Sequence, residues 1–132
     1  MSADLWKDAE VIHTYTRAQA IEDGVLVDVS ETAREAGVKF PVALTAGVWS
    51  LVENIPKKWK GIQDVAGRLW DVVWMLRCAI GRARGSEIRY KLILHHAPSE
   101  GAPGWKYVTL KALCGPGDAG EPVITVMLPH ED

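Results

Sequence analysis

Residues 114–129 read "CGPGDAGEPVITVMLP", and the fold turns on what their glycines do. Gly115, Gly117 and Gly120 match G-x-G-x-x-G, the fingerprint of a loop that cradles a dinucleotide pyrophosphate. Such a loop must open a helix, because the helix N-terminus supplies the amides that hold the phosphates. Here the glycines lead into "VITVML", a β-branched apolar run that reads as a strand. Pro116 removes an N–H from the supposed cradle. The chain after Gly120 is too short for the rest of a βαβ unit, or for a ribose-binding acid about twenty residues on. The stretch therefore reads as a connection between antiparallel strands, with glycines supplying positive φ and Asp118 making local turn hydrogen bonds. No nucleotide or other cofactor is expected.

The runs before it agree. "EIRYKLILHH", 87–96, sets Ile88, Tyr90, Leu92 and Leu94 against Arg89, Lys91 and Ile93. "WKYVTLKALC", 105–114, alternates less cleanly, and 122–128 looks fully buried. Short Gly- and Pro-rich loops join these runs, as antiparallel neighbours require. Ahead of them lies the longest element, "DVAGRLWDVVWMLRCAIGRAR", 64–84. Val65, Leu69, Val72, Val73, Leu76 and Ile80 recur at helical spacing and form one apolar stripe. Asp64 stands four residues before Arg68, the favourable order for a charge pair on a helix face, and suits the N-terminal dipole. Gly85 is the expected stop.

The N-terminal half is dense with start and stop signals. Thr16 and Gln19 fit a capping box for a helix over 17–23. "VLVDVS", 25–30, is strand-like, with Ser30 placed to cap a helix over 31–36. "VKFPVAL", 38–44, is apolar, but Pro41 would remove a ladder donor, so it reads as an edge strand or an extended segment. Thr45 is placed to cap a helix over 46–54. Residues 1–12 read as a poorly ordered lead-in. The expectation is one α+β domain over 1–132 with an antiparallel sheet of three to four strands, 25–29, 87–95, 105–114 and 122–128. The long helix packs on one face.

Composition is that of a globular chain, with 48% hydrophobic and 24% charged residues. No run reaches the roughly 18 apolar residues of a membrane span, and no apolar secretory segment opens the chain. Cys78 and Cys114 lack C-x-x-C spacing and lie in apolar runs, which suggests a reduced, cytosolic chain with two small core residues. The net charge of −2 hides an asymmetry. Residues 1–52 hold eight acids and four bases, 53–111 five acids and eleven bases, and 112–132 four acids and no base. The middle is thus a candidate positive surface.

Chemistry-bearing patterns are sparse. His95 and His96 are adjacent and point to opposite faces of a strand, so they do not form a metal pair, and no metal site is expected. Ser50 and Ser86 lie in no nucleophile elbow. Asp28, alone among apolar neighbours, reads as the solvent face of a half-buried strand or as a buried partner of an arginine. A small enzyme site around Asp28, Arg68 and Asp71 is one reading to test. Tryptophan is unusually frequent, with six copies. Trp70 and Trp74 point away from the Leu69/Leu76 stripe, and Arg77 continues their line. Two readings fit this face: a second packing layer, against Trp49 for example, or a recognition surface, since Trp and Arg dominate interface hot spots. Trp59, among Lys57, Lys58 and Lys60, has the composition to stack a base while lysines meet phosphates.

"YTRAQAIEDGVLVDVSETAREAG", "RLWDVVWM" and "GPGDAGEPVITVMLP" followed by Glu131 and Asp132 resemble an uncharacterised family of small proteins carried by phages, plasmids and other bacterial mobile elements. The resemblance runs from Tyr15 to Asp132 and implies a bacterial cytoplasmic setting. It brings no catalytic residue. In that setting the expected role is non-enzymatic binding of a host protein or complex, with interference in host defence the first candidate. A nucleic-acid-associated role through the basic middle segment is the alternative.

Overall fold

The computed structural model describes residues 15–57, 61, 63–95 and 104–131. In chain order the elements are α1 (Arg17–Glu22), β1 (Leu26–Asp28), α2 (Ser30–Glu35), β2 (Val42–Thr45), α3 (Ala46–Glu53), α4 (Val65–Ile80), β3 (Glu87–His95), β4 (Trp105–Pro116) and β5 (Pro122–Met127). The strands form one five-stranded sheet in the order β1-β2-β5-β4-β3. The expected lead-in 1–12 lies outside the described residues.

The expected connection between β4 and β5 is present, and the two strands pair antiparallel from Lys111–Met127 to Pro116–Pro122. Of its three glycines only Gly120 has positive φ, at 84°. At Gly117 an added Cβ would meet the Glu121 carboxylate, which would have to move aside.

The sheet is mixed, not purely antiparallel, and the difference comes from β2. Pro41 lies one residue ahead of the strand, so its missing N–H falls outside the ladder. Its carbonyl accepts the Ile124 N–H at 2.8 Å. Val42, Ala43 and Leu44 then run parallel to Ile124, Thr125 and Val126, and β1 pairs antiparallel on the other side. "VKFPVAL" thus supplies an interior strand, and β1 and β3 are the edges.

One sheet face packs against α2, α3 and α4. Alternation sends Val42 and Leu44, Tyr90 and Leu92, Leu110 and Ala112, and Ile124 and Val126 into this core. There they meet Val72, Val73, Leu76 and Ala79 of α4. At about 25 cal/mol per Å² of apolar surface removed from water, burial of this kind is the main stabilising term. Tyr90 brings its hydroxyl into the core by donating it to the Val72 carbonyl at 3.1 Å, and burial pushes its pKa up. On the opposite face, Arg17 of α1 donates to Thr125 Oγ1 and to the Ile124 carbonyl.

The caps explain most helix starts. Thr16 and Gln19 form the capping box, Thr45 accepts from Val48 N–H, and Asp64 accepts from Gly67 N–H. Ser30 departs from expectation: it is the first residue of α2 and makes no cap. Its N–H and hydroxyl both donate to Asp28. The long helix ends at Ile80, short of Gly85. Its stripe is shifted too. Val65 and Ile80 are exposed, whereas Arg68 is buried. Cys78 is exposed and Cys114 half-buried, both as free thiols, so Cys78 is not the expected core residue.

Candidate interaction surface

Alternation along β3 and β4 leaves an open face opposite the helices. In register, Ile93 lies across from Tyr107 and His95 across from Trp105. Ile93, Trp105 and Tyr107 are all exposed, Tyr107 at 63%. Tyr107 and Trp105 meet edge to face with centroids 5.5 Å apart, a favoured arrangement for aromatic quadrupoles.

The surface continues around the edge of the sheet onto α4. Trp70 and Trp74, four residues apart, stack with centroids 6.0 Å apart and planes 13° from parallel. They are 38% and 47% exposed, so this face is not a second core layer. Trp49 is half-buried against the main core instead. A hollow of about 380 Å³ joins the two aromatic pairs, lined by Asp71, Trp74, Met75, Lys91, Ile93 and Tyr107 among others. Burial raises the Asp71 pKa, and the nearby His95 opposes that shift. The result is a strip of exposed side chains, Trp70, Trp74, Ile93, Tyr107 and Trp105, of which Trp74, Ile93 and Tyr107 share one hollow with Asp71, Lys91 and His95.

Arg77 is exposed but does not line this hollow. Its side chain lies over Gly37, where an added Cβ would stand 3.0 Å from Nε. Lys57 is exposed, whereas Lys58, Trp59 and Lys60 lie outside the described residues.

Arg68 anchors the strip from beneath. It does not pair with Asp64. Its guanidinium turns inward and donates to the carbonyls of Leu51 and Asn54, to Gln63 Oε1 and to the His95 carbonyl. These bonds tie α3, α4 and the end of β3 together. Burial lowers its pKa from the usual range, and a guanidinium stays charged nonetheless.

Asp28, Arg68 and Asp71 do not converge. Asp28 is exposed on β1 and holds Ser30, in line with the solvent-face reading. Arg68 and Asp71 sit by β3 at the other end of the sheet. Four strand spacings, roughly 19 Å, separate the two edges.

A second hollow, of about 810 Å³, lies on the open face over β2, β5 and α1. Its carboxylates are engaged in holding the fold. Asp118 accepts from the Arg17 and Ala18 N–H groups. Glu131 accepts from the Thr45 hydroxyl and the Leu128 N–H. The buried Lys111 ammonium donates to the Glu131 carbonyl. Apart from the Leu128–Glu131 contact, none of these roles is visible in local spacing, because each joins residues far apart in the chain. Asp118 in particular does not make the turn hydrogen bonds expected of it. Among the described residues no group of three or more His, Cys, Asp or Glu side chains could hold a metal. No helix there is long and apolar enough to cross a membrane.

The missed part of the strip is Ile93, Trp105 and Tyr107. One signal was available. Ile93 is apolar in the polar half of the β3 alternation, and an apolar residue at an outward position marks a sheet face that something can cover.

Fold and surface together define a small α+β protein with a mixed sheet and an exposed aromatic edge. The chain belongs to the family of unknown function DUF6573, which matches residues 2–132. No curated protein and no solved structure matches it.

Proposed function

We propose that this chain is a non-enzymatic binding protein and that the strip from Trp70 to Trp105 contacts a protein partner. One observation carries the reading: five large hydrophobic side chains are exposed, two pairs of them in ring contact, and Trp74, Ile93 and Tyr107 line one hollow. Contiguous exposed apolar surface of this kind marks interaction sites, whereas scattered exposed hydrophobics need no explanation. Trp and Tyr are also the residues that anchor binding energy. The resemblance to proteins of bacterial mobile elements makes a cytoplasmic host protein, a defence component first among them, the partner to seek.

Affinity capture from bacterial lysate tests this, using the wild type, Trp74→Ala and Tyr107→Ala in parallel. The expected result is a protein retained by the wild type and weakened about thirtyfold by either substitution, as loss of a hot-spot side chain predicts. Identical captures by all three would overturn the reading. So would capture of nucleic acid alone with affinity falling steeply with salt, the mark of phosphate contacts.

A further inference from the structure

We propose that the outer edge of β3 receives an extended segment of the partner protein as an added strand, with apolar side chains against Trp74 and Met75 and an acidic side chain opposite Lys91. This rests on the binding surface argued above and specifies how it is used.

The backbone geometry comes first. Cys114 N–H donates to the Ser86 carbonyl, and the register from Glu87–Leu113 to His95–Trp105 is unbroken. In an antiparallel ladder, hydrogen-bonded and non-hydrogen-bonded pairs alternate. The pairs through Ile88, Tyr90, Leu92 and Leu94 are therefore the hydrogen-bonded ones. Glu87, Arg89, Lys91, Ile93 and His95 point their N–H and C=O groups away from β4. His95 confirms the phase, because its outward carbonyl is the one that accepts from Arg68. Arg68 thus closes the outer ladder at His95, and among the described residues no strand pairs with the outer side of β3 from Glu87 to Ile93.

The side chains then select the occupant. An added strand places successive side chains on opposite faces. On the helix side they meet Trp74 and Met75, with Asp71 beside them, which favours apolar groups and disfavours acids. On the open face they meet Arg89, Lys91 and Ile93. Arg89 lies 3.9 Å from Glu87 in an exposed pair, whereas among the described residues Lys91 makes no ion pair, so Lys91 is the cation best placed to attract an acid.

The same charges disfavour a second copy of this chain in the registers that use most of β3. Antiparallel self-pairing over the whole of β3 puts Lys91 opposite Lys91. Sliding it toward Glu87 puts Arg89 opposite Lys91. Sliding it the other way needs the His95 carbonyl that Arg68 holds. Like charges directly opposite are destabilising, and lysine on an edge is a known guard against such pairing. A heterologous strand carrying an acid at that position turns the guard into a contact, which is strand addition of the kind peptide-binding domains use.

A displayed library of random linear peptides, selected on the wild-type protein, tests the proposal. Enriched peptides are expected to alternate apolar and polar residues with an acid on the polar side. N-methylation of single peptide amides should weaken binding roughly tenfold or more at every second position and little between. Lys91→Glu should reverse the preference for acid. Failure to enrich any peptide, helical binders, or indifference to methylation would each overturn strand addition. If methylation is silent while Trp74→Ala still abolishes binding, the aromatic surface stands and only the strand inference falls. If methylation alternates while Trp74→Ala and Tyr107→Ala are silent, the edge pairing stands, but the proposed contact with Trp74 and the aromatic reading fall.

Discussion

Asp118, in the turn between β4 and β5, closes the N-terminus of α1 by accepting the Arg17 N–H at 2.8 Å and, with its second oxygen, the Ala18 N–H at 3.0 Å. The first amides of a helix have no intrahelical partner, and Thr16 serves only that of Gln19. A side chain from the other end of the sequence therefore completes the cap and pins α1 to the sheet. Asp118→Ala is expected to lower the melting temperature and to free α1 first, read as faster amide exchange over residues 17–22.

The same contact sets a pH dependence. Backbone hydrogen bonds from Arg17 and Ala18 hold the Asp118 pKa below its ordinary value. A depressed carboxylate stabilises the folded state above its unfolded pKa, and that contribution disappears as pH falls through the folded one. The melting-temperature gap between wild type and Asp118→Asn should be full at neutral pH and should close below about pH 4. A gap that widens in acid would contradict the assignment.

Arg68 yields the largest expected polar effect. It is 5% exposed and serves four acceptors on three separate segments. Truncation breaks four part-buried hydrogen bonds from a charged donor, a class worth about 1.5–3 kcal/mol each, so Arg68→Ala should cost about 3 kcal/mol or more in chemical denaturation. Arg68→Lys should recover little, because a compact ammonium cannot reach all four positions that the guanidinium fork spans.

The shifted stripe of α4 makes a paired prediction. Leu76 is fully buried, whereas Ile80 is 37% exposed. Leu76→Ala should cost about 2–5 kcal/mol, including the cavity it leaves. Ile80→Ala should cost under about 1 kcal/mol, near the surface range. Equal losses would restore the stripe as spacing alone drew it.

These cases show what local sequence reveals. Caps at Thr16, Thr45 and Asp64, the strands of the 87–127 meander and the centre of α4 were legible because propensity, period and capping chemistry act within a few residues. The glycine loop was legible because a strand follows it. The interior position of β2 was not, since a proline one residue outside a ladder looks like a proline inside it, and its parallel partner β5 is distant. Arg68 departs from its local pattern because Asp64 offers a partner four residues away while its actual acceptors lie mostly on remote segments. Exposure of Trp70 and Trp74 depends on whether another layer covers them, which no spacing on the helix can decide. The open edge of β3 likewise exists only once the strand order is known.

Trp70 and Trp74 supply a prediction that needs no partner for its first half. Their stacked rings should give a coupled aromatic signal in far-UV circular dichroism, where the strong indole transitions lie, and either substitution to alanine should remove it. Neither ring fills a core cavity, so Trp74→Ala should cost under about 1 kcal/mol, against the 3–5 kcal/mol of a buried tryptophan. Trp70→Ala should cost somewhat more, since Trp70 is the less exposed of the two. Once a partner is in hand, Trp74→Ala should weaken binding by about 2 kcal/mol or more with the fold intact. A melting temperature that collapses on Trp74→Ala would show that the ring supports the core, and would remove it from the binding surface. An intact fold with unchanged affinity would leave Ile93, Tyr107 and Trp105 to carry the contact without the helix.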